Sequence, residues 1–290
     1  VEFTAIHPDL PMRSPGFLRA AGAALVLLAI APAPAHATWS VIAVDRATGR
    51  MVVSSATCVA QGSLRNFPAK GLMDVQAIIA PGYGVAAAQA GVDRTRANQS
   101  LIHAGLRSGT HPSEILRQLM ADSLIQSRQF GIVDLQGRMA GFSGARNQAA
   151  SLSVQGQVAG TEVFYAIQGN ILASYEVVQA AVRAFEATNG ALEDRVMAAM
   201  EAADAAGGDR RCTCSTPPVP DTVAPCTHRT AHVAYLAIAD SSSRDGASFN
   251  DGHYVAVIDV TDENITREEN ANPVTTLRRR YDTWQRTRTR

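Results

Sequence analysis

The chain has 290 residues, with 26 Lys and Arg against 26 Asp and Glu, so its formal net charge is zero. That balance excludes bulk electrostatic attraction to nucleic acid or anionic lipid. One sizeable domain is expected at this length, with two small ones as the alternative, and a composition 46% hydrophobic but only 6% aromatic favours closely packed layers of helix and sheet.

The first segment reads as an export signal. Arg13 and Arg19 form a basic region, Ala20 to Ile30 an apolar run too short for the roughly 18 residues of a membrane span, and Ala35-His36-Ala37 a small-residue cleavage motif. Met12 is the expected start, and cleavage after Ala37 would expose Thr38. A cut after Ala35 also satisfies the small-residue rule, and a retained anchor is the alternative. No cysteine follows the site, so a lipid anchor is not indicated. Residues 1–37 are therefore assigned to the leader, 38–265 to one folded domain and 266–290 to a basic C-terminal helix or tail.

From Thr38 onward the pattern is that of strands. Thr38 to Val44 and Met51 to Thr57 flank a turn-forming segment and predict a hairpin, as do Val75 to Ala80 and Val85 to Ala90 around Pro81-Gly82-Tyr83-Gly84. The period then changes. Ala97, Leu101, Ile102 and Leu106 share a helix face that Gly109 closes, and Thr110 with Pro112 opens a second helix bearing Ile115, Leu116, Leu119 and Met120. Strands return at Phe130 to Asp134, Met139 to Phe142, Leu152 to Val154 and Val163 to Ile167. Two helices follow, with faces at Tyr175, Val178 and Phe185 and at Leu192, Val196 and Met200, until Gly207-Gly208. The last strands run His232 to Ala239 and Tyr254 to Val260, before a helical stretch around Leu277 and Tyr281. Strand pairs interrupted by helix pairs describe α+β layering rather than a βαβ wind.

In an oxidising compartment Cys58, Cys212, Cys214 and Cys226 are disulfide candidates, with three pairings open. The alternative is a Cys3His zinc site from Cys212, Cys214, Cys226 and His228, although the spacing is tighter than usual. We expect two disulfides, no metal and no cofactor.

Thr38, once exposed, would carry a hydroxyl nucleophile and an α-amine on one residue. An amine with a pKa near ~8 can take the hydroxyl proton and return it to a leaving group. Supporting candidates are Lys70 just before a strand, Ser54 and Ser55 on the strand paired with the first, and Asn170 as an amide donor to an oxyanion. Asp209 and Arg210 could orient the amine or bind a substrate carboxylate. One of the two serines must face the same side as Thr38, because side chains alternate along a strand. His103, His111, His232 and His253 have no Asp and Ser at informative spacing, and the glycine-rich turns lack the order of a phosphate cradle.

Five ordered segments carry a resemblance: Thr38-Trp39-Ser40-Val41-Ile42-Ala43-Val44-Asp45, Val85 to Ala90, Arg128 to Asp134, Gln168-Gly169-Asn170-Ile171-Leu172 and Gly208-Asp209-Arg210-Arg211-Cys212. Together they resemble family 1028 of the domains of unknown function, a family placed with the N-terminal-nucleophile (Ntn) hydrolases. The resemblance implies a four-layer αββα sandwich, two antiparallel sheets between helical layers, with Thr38 as nucleophile. It gives reaction type more readily than substrate; the coincidence of the cleavage site with the family's first strand leads us to expect hydrolysis of an amide or related acyl bond in a small-molecule or peptide-like substrate. The chain departs from the family pattern at Cys212-Thr213-Cys214-Ser215-Thr216-Pro217-Pro218, where a smooth strand is expected. The expected protein is periplasmic or secreted, with no nucleic-acid partner and no stable membrane anchor after processing; a homo-oligomer stays open. A non-catalytic periplasmic binding protein on the same fold is the competing expectation. Six arginines from Arg278 to Arg290 against the single acid Asp282 suggest a solvated helix end, with contact to an anionic surface as the alternative.

Overall fold

The computed structural model describes residues 38–67 and 69–288. The leader lies outside the described residues. Ten strands form two antiparallel sheets, with seven α-helices among the described residues.

The first hairpin is β1 (Thr38–Asp45) and β2 (Arg50–Thr57), paired from Thr38 opposite Thr57 to Asp45 opposite Arg50. Both strands are almost fully buried, and their runs of Val, Ile and Ala suit a strand covered on two faces. Two short helices follow, α1 (Gln61–Leu64) and α2 (Leu72–Gln76). The second hairpin is β3 (Ala77–Ala80) and β4 (Gly84–Ala90). Val75 and Gln76 thus belong to a helix, where sequence periodicity predicts a strand. Leu72 and Val75 are both buried from that helix, so one helical turn packs the apolar run that a strand would otherwise bury.

Next come α3 (Ala97–Arg107) and α4 (Pro112–Leu119). Gly109 takes φ +71°, the left-handed conformation that ends a helix. The cap of α4 is His111, whose ring Nδ1 accepts from Ser113 N at 3.2 Å. Strands β5 (Arg128–Asp134), β6 (Met139–Ser143), β7 (Leu152–Gln157) and β8 (Val163–Asn170) lead to α5 (Glu176–Ala187) and α6 (Leu192–Ala205). The chain ends in β9 (Val233–Ala239), β10 (Ala256–Val260) and α7 (Pro273–Arg288).

The larger sheet has the order β10-β9-β2-β1-β8-β7 and the smaller β3-β4-β5-β6. Alternation along β1 sorts its side chains into two cores. Trp39, Val41 and Ala43 pack with Val177, Phe185, Val196 and Met200 of α5 and α6 and with Leu277 and Tyr281 of α7. Ile42 and Val44 pack instead with Val85, Ala87 and Val133 of the smaller sheet. A third cluster joins Phe130 and Ile132 of that sheet to Ile102, Leu106, Ile115 and Leu119 of α3 and α4.

The basic C-terminal stretch is a helix in the same compact unit as the sheets. Arg278 binds Glu201 through two 2.8 Å hydrogen bonds, and Arg280 binds Glu269 at 2.8 and 2.7 Å. Two of the six arginines are thus committed to carboxylates of the domain.

Candidate active site

Thr38 is the first residue of β1, the strand held between β2 and β8, and is 3% exposed. Register fixes its neighbours, with Thr57 opposite on β2 and Asn170 opposite on β8. The next inward row holds Gln168, Ser40, Ser55 and Tyr235, taken from β8 across to β9. Directly opposed side chains share a face, so all of these look into the space between the sheets.

That space is polar at this end. Thr38 Oγ1 donates to Thr57 Oγ1 at 3.3 Å, and the Thr38 carbonyl accepts from Gln89 Nε2 at 3.1 Å. Gln89 is the hub. Its Oε1 accepts from Ser40 Oγ at 2.7 Å and Gln76 Nε2 at 2.5 Å, while its Nε2 also donates to Gln129 Oε1 at 2.7 Å. Gln129 accepts from Asn170 Nδ2 at 3.1 Å and donates to the Gly169 carbonyl at 2.9 Å, so the network ties the two sheets together. Gly131 makes room for it, because a Cβ there would lie 3.1 Å from Gln168 Oε1 and 3.2 Å from Ile42 Cδ1. The oxygens Asn170 Oδ1 and Gln168 Oε1 are buried without a hydrogen-bond partner among the described residues. A buried acceptor in that state carries its full desolvation cost.

The cysteines lie alongside. Cys58 is bonded to Cys212 and Cys214 to Cys226. Both expected disulfides are present, and the pairing that the sequence left open is resolved. Cys58, Cys212 and His232 bring donor atoms within 4.8 Å of one another, but both sulfurs are oxidised, so no thiolate is available to a metal. The Cys3His zinc alternative fails for the same reason. His232 donates its backbone N–H to the Thr57 carbonyl at 2.7 Å, and its ring Nδ1 meets the Arg229 guanidinium. Burial first, then the charges of Arg229 and Arg211, push this imidazole down to about 4.

The predicted site residues separate into three groups. Thr38, Asn170 and Ser55 are brought together on the inter-sheet face, although Ser55 Oγ is engaged with the Trp39 carbonyl at 2.6 Å. Ser54 is on the other face of β2, flanked by Val52 and Ala56 of the helix-side core, and donates to the Tyr235 carbonyl at 2.7 Å. Asp209 is fully buried beside the disulfide. Its carboxylate accepts from Cys58 N at 2.9 Å and from Arg211 Nη2 at 2.7 Å, whereas Arg210 is exposed. Lys70 is also exposed and lines a different cavity. Sequence reasoning missed Gln76, Gln89 and Gln129. A signal existed: Gln89 interrupts the small apolar run of β4 at an inward position, as Gln129 does at the start of β5.

Two cavities adjoin this end of the sheets. One of about 20 Å³ touches Thr38, Thr57, Gln76 and Gln89, and one of about 460 Å³ is lined by Lys70, Tyr235, Asn250 and Tyr254; Leu72 borders both.

The comparisons with known proteins agree with this layout. Residues 38–217 match the Family of unknown function (DUF1028), and the chain belongs to that family. The crystal structure of a Silicibacter pomeroyi protein assigned to DUF1028 superposes with a TM-score of 0.57 at 22% identity, covering 85% of this chain and 88% of that one. That likeness is one of fold. No curated protein matches the chain.

Proposed function

We propose that this protein is an exported hydrolase of the N-terminal-nucleophile type, which cleaves an amide or related acyl bond through Thr38. One observation carries this: Thr38 opens an interior strand on the inter-sheet face, with its hydroxyl beside Thr57 and its carbonyl fixed by Gln89. Such anchoring holds an attacking oxygen in one orientation, the entropic part of catalysis. Two antiparallel sheets packed face to face, with helix-backed cores behind each, support the four-layer αββα assignment. Two disulfides support export to an oxidising compartment, and no described helix is long and apolar enough to cross a membrane.

In this mechanism Thr38 Oγ1 adds to the substrate carbonyl while the α-amine, freed by cleavage after Ala37, takes the hydroxyl proton. The same amine returns the proton to the leaving nitrogen. Water then hydrolyses the acyl ester and restores Thr38. Asn170, opposite Thr38 in register, is the candidate amide donor to the developing oxyanion, and its Nδ2 would turn from Gln129 Oε1 to the oxyanion. While Thr38 follows Ala37, its nitrogen is a peptide amide and cannot act as a base.

The test compares the full chain with one starting at Thr38, both folded by circular dichroism, for covalent labelling by an electrophilic acyl probe read by intact mass. Labelling confined to the Thr38-started chain and lost in Thr38→Ala is expected. Equal labelling of a chain that retains Ala37 refutes the amine as base, and N-terminal sequencing of secreted protein that finds a start at His36 or upstream refutes the processing step.

A second role, that of a non-catalytic periplasmic binding protein, is favoured by the cavity sizes. The space touching Thr38 is about 20 Å³, and the 460 Å³ cavity does not include Thr38. Absence of labelling across a broad probe panel would shift the assignment there.

A further inference from the structure

The 460 Å³ cavity falls within the roughly 300–1,000 Å³ range of small-molecule sites. It opens between α2, the start of β9, β10 and the Ser248–Tyr254 loop. Val233 of its wall pairs with Thr57, which pairs with Thr38, so the cavity begins two strands from Thr38, roughly 10 Å at normal strand spacing.

Its polar lining is one-sided. Gln61 commits its Nε2 to the Lys70 carbonyl at 2.7 Å, which leaves Oε1, and that oxygen has no partner among the described residues although Gln61 is only 8% exposed. Asn250 does the same. Its Nδ2 reaches the carbonyls of Met73, Asp74 and Ala77 at 3.0–3.1 Å, leaving Oδ1 with Ser248 Oγ at 3.4 Å. Tyr254 Oη is buried with no partner among the described residues. Three carboxylates, Asp74, Asp251 and Asp259, complete the lining. Against them stands one lining ammonium, Lys70, whose charge acts on Asp251. Arg280 is near Asp259 but is paired with Glu269. Hydroxyl residues Tyr235, Ser248 and Thr261 also border it, and Leu72, Met73, Val233 and Val257 give it an apolar wall.

We propose that this cavity binds an organic cation, a small molecule with a protonated amine attached to an apolar body. Both lining amides spend their nitrogens on backbone carbonyls and keep their oxygens as the less committed groups, so the lining has acceptor capacity for a donor ligand. An ammonium satisfies several acceptors at once and meets a net excess of carboxylate, while its apolar part covers the wall. An anion would meet repulsion and unpaired acceptors. This does not rest on the hydrolase role proposed for Thr38.

Calorimetric titration of the folded protein with three shape-matched probes, phenethylamine, phenethyl alcohol and hydrocinnamate, tests it. The amine is expected to bind about tenfold or more tightly than the alcohol, in line with a charge-assisted hydrogen bond, and hydrocinnamate not at all. Asp251→Asn with Asp259→Asn, which keep the side-chain shape, should weaken the amine about tenfold and leave the alcohol unchanged. Thr38→Ala should leave all three unchanged, which separates this site from the hydrolase. Equal binding of amine and alcohol, tighter binding of hydrocinnamate, or no saturable binding of amine at roughly 10 mM, above the range expected of so small a ligand, overturns the proposal.

Discussion

The space between the sheets has two unlike halves. Around Ile42, Val44, Val53, Val85 and Phe164 it is apolar and closed, whereas around Thr38 it is a lattice of Ser40, Gln76, Gln89, Gln129 and Asn170. Both halves are buried, and apart from Gln76 of α2 both are built on strands of the two sheets. The apolar half stabilises in proportion to the area removed from water. The polar half has to replace every hydrogen bond to water with one in the protein, for a small net gain, and it leaves Asn170 Oδ1 without a partner among the described residues. Stability alone does not account for it. A lattice that holds both the hydroxyl and the carbonyl of Thr38 does position that residue.

The largest test of this contrast is at the disulfide next to Thr57. Cys58 and Cys212 are 154 residues apart and Cys214 and Cys226 only 12, so on loop entropy the first bond contributes about 5 kcal/mol and the second about 3. Denaturant midpoints of the two Cys→Ser double variants should differ in that order, and the reverse order would show that the polar end does not depend on Cys58–Cys212. In the apolar half, Ile42→Ala is expected to cost about 3 kcal/mol through the cavity it leaves. Acyl-probe labelling at Thr38 should be unaffected once the protein is folded.

Gln89→Leu should be milder in stability and harsher in chemistry. It leaves Ser40, Gln76 and the Thr38 carbonyl without their Gln89 bonds, at about 2 kcal/mol, and should remove most Thr38 labelling. If unfolding alone changes and labelling persists, the lattice is structural. The smallest effect is one of pH. His232 has a folded pKa lowered from 6.5 to about 4, so the unfolded chain takes up its proton first and stability falls as pH drops from 6.5 toward 4. Between pH 7 and 5 this amounts to about 2 kcal/mol, and His232→Gln should remove that slope in melts recorded across the interval.

Much of the layering was legible because the strands around Thr38 are β-branched and alternating, and because glycine and proline mark the helix ends. The turn at Leu72–Gln76 was not, since a short apolar run has no period by which helix and strand differ. That Thr38 and Asn170 are neighbours was not legible, as the 131 residues between them say nothing of register. The glutamines escaped because each looks like an ordinary polar residue until pairing shows that three of them meet. The placement of Lys70 was hidden in the same way: it lies before β3 in sequence, but α2 intervenes and leaves it on the outer cavity.

The connectivity of the cysteines also bears on how the chain is made. Each bonded cysteine pairs with the next one along the chain, Cys58 with Cys212 and then Cys214 with Cys226. An oxidant that joins thiols in their order of emergence from the N-terminus therefore arrives at the native pattern directly. Cys58 waits unpaired while the next 154 residues are made, and its first available partner is the correct one. Maturation by this route needs a supply of oxidising equivalents and no shuffling of bonds already formed.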